Sequence, residues 1–207
     1  MTRLNGKLVS GDSLLELDAL YVIDYDGDFI DVVAQPFTME IEVRGRTRRW
    51  TPDFLIKRED RQDDLVEVKI LSWIYHKDPA KAALALTRLD ALKTACAQRG
   101  YSFVLLTEDE IRVEPRLYNA RMAHRHNGSH VPKDYIVIGL SALAVAPATL
   151  TVREFAGLIA PIHPVHALGL AVRLERLGHL RFDRRTRYSL DSTISKISGP
   201  MEICHER

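Results

Sequence analysis

The chain has 207 residues, of which 46% are hydrophobic and 28% charged, and its formal net charge is +1 at pH 7. This length fits one large domain or two small ones, and the apolar content suffices for a buried core, which argues against a disordered chain. No apolar run reaches the roughly 18 residues of a membrane span, and the N-terminus lacks the apolar stretch of a signal peptide. Two cysteines are too few for a disulfide framework or a cysteine-based metal site, so we expect a cytoplasmic protein.

The first half of the chain predicts one helix followed by several short strands. Apolar residues in segment 13–25 are dense enough for a buried helix, and Asp26-Gly27 directly after it is typical of a turn. Runs rich in β-forming residues then predict four strands, at 29–34, 37–43, 54–56 and 65–70. The polar segment 57–64 suits a hairpin loop between the last two strands.

A second helix and a further strand complete this half. Asp78 followed by Pro79 is a helix-start signal, because Asp can cap the first turn and proline fits the first helical position. The helix is expected to run to Arg99 and to end at Gly100, a natural C-terminal cap. Residues 101–106 predict a buried strand. This order indicates an α/β or α+β domain, for which we choose α/β and the boundaries 1–115.

Residues 116–207 predict a mostly helical second domain. Helices are expected at 117–126, at 134–146, after the capping box of Thr151 and Glu154, and at 165–177. Two short alternating runs then surround a basic turn, 179–183 and 187–190, and predict a hairpin. Two helices followed by a basic hairpin are the order of a winged-helix module, although many small helical domains also end in a hairpin.

Acidic residues and a lysine are expected to meet at one end of the first domain's hairpin. Segment 65–70 alternates with the strand period of two, so Glu67 and Lys69 point to one side. Pro52-Asp53 opens the strand that can pair with this segment. Carboxylates suit Mg²⁺, which usually takes one or two of them together with water and phosphate oxygens. A nearby lysine can orient a water molecule or neutralise charge that develops on a phosphate.

This pattern is loose when it is taken alone. An exposed strand face that carries Glu and Lys two residues apart is common, and short motifs have a high false-positive risk. The same applies to Glu16 and Asp18 on the first helix, since the residues alone do not say which belongs to a site and which forms a salt bridge. Gln35 can contact a substrate or can simply end a strand.

The wider context resembles the N-terminal endonuclease domain of the TnsA family, the endonuclease subunits of Tn7-like heteromeric transposases. The resemblance spans roughly residues 10–125 and rests on separately spaced segments: Leu15–Leu20 through Asp31, Gln35–Phe37, Arg48–Phe54, Leu65–Lys69, Gly100–Phe103, Leu106–Glu108, Asn119 and Arg121. Trp50 stands where a tyrosine is expected, and Gly27 stands where proline is common. Neither departure is expected to touch the proposed chemistry.

The resemblance implies a restriction-endonuclease-like, PD-(D/E)xK fold and a role for each site residue. Asp53 corresponds to the principal metal-binding residue, Glu67 to the second, with the Val68 carbonyl beside it. Glu16 corresponds to the helix-borne acidic residue, and Lys69 to the catalytic lysine. The implied cofactor is Mg²⁺, with Mn²⁺ able to substitute. The implied activity is cleavage of one DNA strand, at the 5′ end of a transposon, beside a DDE-type transposase and an AAA+ ATPase regulator.

The arginines near the C-terminus have two readings. Arg181, Arg184, Arg185 and Arg187 can contact DNA phosphates from a wing, or can bind an acidic surface of a partner.

Two rival functions remain open at this point. One is a free-standing restriction or repair nuclease of the same fold, which cuts without partners. The other is a DNA-binding or assembly factor without catalysis, against which the complete set of Glu16, Asp53, Glu67 and Lys69 argues.

Overall fold

A computed structural model describes residues 2–4, 7–127, 131–160 and 162–197. The chain divides into two compact units, Met1–Val113 (unit 1) and Glu114–Arg207 (unit 2). The boundary lies close to the one expected after residue 115. Within the described ranges, no helix is long and apolar enough to cross a membrane.

Unit 1 contains both helices and strands. Its strands are β1 (Thr2–Leu4), β2 (Lys7–Val9), β3 (Asp31–Ala34), β4 (Met39–Val43), β5 (Arg46–Trp50), β6 (Phe54–Lys57), β7 (Asp64–Val68) and β8 (Ser102–Leu106). Its helices are α1 (Leu14–Asp26), α2 (Leu71–Ile74), α3 (Pro79–Gln98) and α4 (Glu108–Ile111). The long helix α3 therefore lies in sequence between β7 and β8, as a crossover between two parallel strands requires.

The central sheet of unit 1 is mixed, with the strand order β3-β6-β7-β8. Strand β6 is antiparallel to β3 and β7, whereas β7 and β8 are parallel. Alternate side chains enter two different cores. Val66 and Val68 pack in the core that includes α1, while Leu55 and Leu65 pack in the core that includes α3 and the β4–β5 hairpin. Helices and a hairpin thus cover both faces, which is consistent with the α/β class.

The predicted helix boundaries in unit 1 are confirmed by their caps. The Ser13 hydroxyl accepts a hydrogen bond from the Glu16 N–H at the start of α1, and Gly27 follows the helix with a left-handed φ of 72°. The Asp78 carboxylate accepts from the Ala80 N–H, and Gly100 has a φ of 79° after α3. Both helices therefore begin and end where residue chemistry favours it.

The sequence did not predict strand β5. It contains three arginines, and four of its five residues are exposed, so it lacks the alternating apolar pattern of a half-buried strand. Backbone pairing with β4 holds this segment extended. The register places Trp50 opposite Met39 and Arg46 opposite Val43. The turn between the strands, Arg44-Gly45, has positive φ at both residues, 54° and 69°.

Unit 2 is mostly helical with a small sheet. It contains α5 (Arg116–Arg125), α6 (Lys133–Val145), β9 (Thr149–Thr151), α7 (Val152–Leu158), a 3₁₀ turn (Pro164–His166), α8 (Ala167–Arg176), β10 (Leu180–Phe182) and β11 (Thr193–Lys196). The strands form an antiparallel sheet in the order β10-β11-β9. The expected capping box at Thr151 and Glu154 is present.

The predicted C-terminal hairpin is wrong in its second strand. Strand β10 pairs with Thr193–Lys196 and not with 187–190, which lies in the connecting loop. The alternation in 187–190 reflects a single buried side chain, Tyr188, whose ring stacks on Phe182 at 4.1 Å. Its backbone N–H donates to the Asn119 side-chain oxygen, so a side chain takes the place of a strand partner.

Candidate active site

Asp53 lies directly before β6, at the end of the sheet where β7 finishes. Its backbone N–H donates to the Val66 carbonyl at 2.9 Å, and its carbonyl accepts from the Gln35 N–H at 3.0 Å. The Asp53 side chain accepts a 2.6 Å hydrogen bond from the Val68 N–H. Since β6 and β7 are antiparallel, the start of one strand and the end of the other meet, as the sequence predicted.

Glu67 and Lys69 complete a cluster of charges at this end. The Lys69 Nζ lies 3.0 Å from a Glu67 carboxylate oxygen and 3.6 Å from Asp53 Oδ2, and it donates to the Val68 carbonyl at 3.0 Å. The Lys69 backbone N–H donates to the Leu106 carbonyl of β8. Backbone pairing to the parallel strand therefore holds the base of the lysine beside the two carboxylates.

Trp50 supports the Glu67 carboxylate. Its indole N–H donates to Glu67 Oε2 at 2.7 Å, and the Glu67 side chain is only 3% exposed. A buried carboxylate is costly without donors, and the indole and the Lys69 ammonium supply one for each oxygen. The expectation that this departure does not touch the proposed chemistry is therefore wrong, because the Trp50 indole contacts Glu67, a residue of the proposed site.

The pKa of Asp53 is raised to about 6, chiefly because burial disfavours its charged form. The negative charges of Glu67 and Glu16 also raise it, whereas the hydrogen bond from Val68 and the Lys69 charge lower it. Lys69 does not fully compensate the clustered carboxylates. A carboxyl group in this state favours an added cation, and perturbed pKa values of this kind are concentrated at functional sites.

The structure separates Glu16 from Asp18, which the sequence left open. Glu16 lies in the first turn of α1, accepts from the Asp12 N–H and the Ser13 hydroxyl, and is near enough to Asp53 to raise its pKa. Asp18 is buried and forms an ion pair with Arg112 at 3.2 Å. Glu16 thus lies on the site side of the helix, and Asp18 has the structural role.

Gln35 and Asp12 lie next to the cluster and hydrogen-bond to each other, a contact that the sequence did not predict. The Gln35 side-chain amide donates to Asp12 Oδ2 at 2.7 Å, while the Gln35 backbone N–H donates to Asp53. Gln35 has a φ of 46°, a left-handed conformation that is uncommon for residues other than glycine. This residue therefore connects the loop before α1 to the backbone of Asp53.

The oxygen atoms in the cluster fit a divalent cation. Among the described residues, no group of three or more His, Cys, Asp or Glu side chains is arranged to hold a metal ion. Mg²⁺ needs less than such a cage, because it keeps several waters and usually takes one or two carboxylates. Asp53, Glu67 and the Val68 carbonyl provide oxygen ligands of this kind close to one another.

Three of the four C-terminal arginines are paired within unit 2. Arg185 forms short hydrogen bonds with Asp183, Arg184 lies 3.6 Å from Glu175, and Arg187 lies 3.5 Å from Glu114. Arg181 is exposed on β10. The positive charges of Arg184, Arg185 and Arg187 are thus partly neutralised by neighbouring carboxylates.

The residues at the end of the β6–β7 hairpin carry the PD-(D/E)xK signature of metal-dependent nucleases, here Pro52-Asp53 and Glu67-Val68-Lys69. In a comparison with protein families, residues 26–108 match the family described as TnsA-like endonuclease N terminal. This match confirms the resemblance to the TnsA family and supports a nuclease of the Tn7 type. Comparison with curated proteins gives no match.

Proposed function

We propose that the protein is the DNA-cleaving subunit of a Tn7-like transposase, which hydrolyses one strand at the 5′ end of the transposon. The observation that carries the proposal is the convergence of Asp53, Glu67 and Lys69 at one end of a hairpin within the TnsA-like domain. A lysine within 4 Å of two carboxylates can assist metal-dependent hydrolysis of a phosphodiester, because the carboxylates can hold the cation and the lysine can stabilise developing charge.

Asp53, Glu67 and the Val68 carbonyl would hold Mg²⁺ or Mn²⁺, with Glu16 contributing from α1. A cation bound there would stabilise negative charge on the phosphate and lower the pKa of a coordinated water. Asp53 must be ionised to take part, and its raised pKa of about 6 leaves it mostly ionised at pH 7. Glu16 is held by Asp12 and Ser13, so its contribution requires a rotation of its side chain or a bridging water.

Lys69 supplies the movable positive charge of the site. Its ammonium contacts both carboxylates and the Val68 carbonyl, so small movements bring it to a water or to a phosphate oxygen nearby. We assign it the orientation of the attacking water and the neutralisation of charge that develops on the phosphate. Trp50 then acts as a positioning residue, because its indole holds the Glu67 carboxylate in place and is not assigned a contact with the reacting atoms.

Unit 2 is proposed to be a winged-helix module that binds DNA or a partner subunit. The order α6, β9, α7, α8, β10, β11 and the three-stranded sheet support this assignment. Arg181 is the exposed cation that favours a phosphate contact, and the paired arginines Arg184, Arg185 and Arg187 favour a weaker contribution. The proposed partners are a DDE-type transposase and an AAA+ regulator.

The proposal is tested with a DNA fragment that carries the end of the element, Mg²⁺, and the cognate transposase. We expect little site-specific cutting by the protein alone and single-strand cutting at the 5′ end once the transposase is added, since a partner places the scissile phosphate in the site. Efficient site-specific cleavage by the lone protein would instead favour an autonomous restriction or repair enzyme. Absence of cleavage under all of these conditions would favour a non-catalytic assembly factor.

A further inference from the structure

A basic groove lies on unit 1 between the β4–β5 hairpin and α3, with a volume of about 680 Å³. Five arginines line this arginine groove, and its lining contains no acidic residue: Arg44, Arg46, Arg48, Arg49 and Arg88. The apolar floor comes from Ile41 and Val43 of β4 and from Leu84 of α3. The groove therefore presents a dense positive charge over a shaped apolar surface.

No carboxylate of the described residues neutralises the charge of this groove. Among the described residues, none of the five arginines lies within ion-pair distance of a carboxylate, whereas Arg58 in the same unit pairs with both Asp28 and Asp64. The Arg88 guanidinium lies over the Trp73 ring at 5.8 Å, and its buried Nε has no hydrogen-bond partner. Unpaired guanidinium groups held close together favour an anionic ligand.

Strand β5 connects the groove to the candidate active site. Its register places Arg46, Arg48 and Trp50 opposite residues of β4 that face α3, so the three side chains follow one another along one face of the strand. Trp50, the last of them, donates to Glu67. Residues two apart on a strand are roughly 6.6 Å apart, which is comparable to the spacing of neighbouring phosphates along one nucleic-acid strand.

The opposite wall also leads towards the site. A second depression shares Leu84 and Arg88 with the groove and adds Trp73, His76 and Lys81. Trp73 belongs to α2, which begins at Leu71, two residues after Lys69. Cations and an aromatic ring thus continue from the groove to the segment that follows the catalytic lysine, as in proteins that bind a nucleic-acid backbone.

The hairpin turn places an arginine in a conformation that arginine does not favour. Arg44 and Gly45 both have positive φ, which is the geometry of a two-residue turn that prefers Asn-Gly or Asp-Gly. Backbone strain of this kind points to a functional side chain when an observed outlier coincides with a candidate site. Here the outlier adds a cation to the rim of the groove.

We propose that the arginine groove binds the phosphate backbone of the DNA segment next to the scissile phosphate. This inference rests on the proposed nuclease function and adds a binding surface to it. An acidic protein would also match the charge, but the alignment of Arg46 and Arg48 with Trp50 leads to the cleavage residues, which favours the substrate itself. Phosphate contacts of this kind fix the position of the DNA and carry no direct sequence information.

The first test measures binding of a fluorescently labelled DNA duplex of arbitrary sequence by anisotropy, in EDTA so that no strand is cut. The full chain is compared with the double variant Arg46→Ala, Arg48→Ala across a salt series. Loss of two phosphate contacts should lower the affinity and make the slope of log K against log salt shallower by about two. Arg61→Ala is the matched control, since Arg61 is an exposed arginine of the same unit that already pairs with Asp28.

A second variant separates loss of binding from loss of fold. Arg44→Asn removes one cation and places at the turn a residue that tolerates positive φ, so thermal stability should be kept or raised. We expect its DNA affinity to fall and its salt slope to become shallower by about one. A variant that is at least as stable as the wild type and binds DNA more weakly cannot be explained by unfolding.

The proposal is overturned if both variants bind DNA with the wild-type affinity and salt slope, whether or not they lose binding to an acidic protein. The nuclease function is judged separately with Lys69→Ala. We expect that variant to keep the contacts of the groove with DNA, with a salt slope shallower by at most about one, while it fails to cut. If the wild-type protein itself binds DNA through the groove but cuts no DNA with Mg²⁺ and its transposase, only the nuclease function is lost.

Discussion

The charged groups of the two units are compensated to different degrees. In unit 1, Asp53 has a raised pKa in a cluster that Lys69 only partly neutralises, and the cations of the arginine groove have no carboxylate partner within the described part of the chain. In unit 2, the loop after β10 pairs most of its charges, and Glu175 accepts from the Phe182 N–H and the Tyr188 hydroxyl. Compensated charges stabilise a fold, whereas uncompensated charges mark surfaces that a ligand completes.

The largest effect is expected in the proposed active-site cluster of Asp53, Glu67 and Lys69. Lys69→Ala should lower the rate of Mg²⁺-dependent strand cleavage by roughly 10²–10³-fold, because a positioned charge near the reacting phosphate is lost. Asp53→Ala and Glu67→Ala should abolish cleavage through loss of metal binding. Cleavage is measured with the transposase present, and circular dichroism checks the fold. Lys93→Ala, at an exposed lysine of α3 outside the arginine groove, is the control for loss of a positive charge.

Wild-type cleavage by a correctly folded Lys69→Ala protein would remove this residue from the mechanism. It would also mean that the close contacts of its ammonium with both carboxylates are only structural.

The next effect concerns stability, and here a substitution at Asp53 is expected to cause a gain. The folded protein keeps a proton on Asp53 up to a pH of about 6, whereas an unperturbed aspartate releases it near 3.8. Between these values the folded state binds more protons, so stability falls as the pH rises from about 4 to 6 and stays lower above that window. In metal-free buffer at pH 7, Asp53→Asn should therefore raise the free energy of unfolding by an amount on the order of 3 kcal/mol.

Denaturant unfolding in EDTA at several pH values checks this prediction. The variant should also lose the part of the pH dependence that lies between about 4 and 6. A variant that is less stable than the wild type at pH 7 would show that the Asp53 carboxylate is compensated after all, and that the contrast between the units is weaker than argued.

In unit 2, removal of a partner should destabilise the protein. The buried Asn119 side chain donates to the Thr186 carbonyl at 2.9 Å and accepts from the Tyr188 N–H at 2.9 Å. Asn119→Ala leaves two backbone groups without partners and should lower the free energy of unfolding by about 2 kcal/mol. Ser141→Ala, at an exposed position of α6, is expected to change it by less than about 0.5 kcal/mol.

Unfolding is followed by tyrosine fluorescence and circular dichroism. An Asn119→Ala protein with unchanged stability would mean that the loop around Tyr188 is held by its ring stacking alone, and not by these hydrogen bonds.

The smallest effect should come from the paired arginines. The double variant Arg184→Ala, Arg185→Ala removes cations that already have Glu175 and Asp183 beside them, so the DNA salt slope should change by less than about one. This change is compared with that of Arg46→Ala, Arg48→Ala in the same anisotropy assay. A larger change in unit 2 than in the groove would reverse the comparison and favour the wing as the main DNA contact.

Sequence alone predicted those parts of the fold where local chemistry and tertiary packing agree. The caps of α1 and α3 and the meeting of Asp53 with Glu67 follow from residue preferences and strand alternation. Strand β5 was missed because pairing with β4, and not its own composition, holds it extended. The segment around Tyr188 was misread because side-chain hydrogen bonds imitate the pattern of a strand.

The candidate site was likewise only partly predictable from the sequence. Residue types and spacing pointed to Asp53, Glu67 and Lys69, and the family resemblance was needed to choose Glu16 over Asp18. Long-range contacts, such as the hydrogen bond from Trp50 to Glu67, were beyond sequence reasoning because nothing local places an indole beside a carboxylate 17 residues away. The sequence also did not show which arginines pair with carboxylates, because the cluster at 44–49 and the cluster at 181–187 look alike in sequence.

The most direct test of a metal-dependent cleavage centre is a crystal structure of the protein with Mn²⁺, located by its anomalous scattering. We expect an anomalous peak at about 2.1–2.3 Å from oxygens of Asp53, Glu67 and the Val68 carbonyl, with waters completing the coordination. The same experiment on Asp53→Ala should lose that peak. A wild-type crystal with no peak at these residues, or with one bound elsewhere in the protein, would contradict the assignment of this cluster as the metal site.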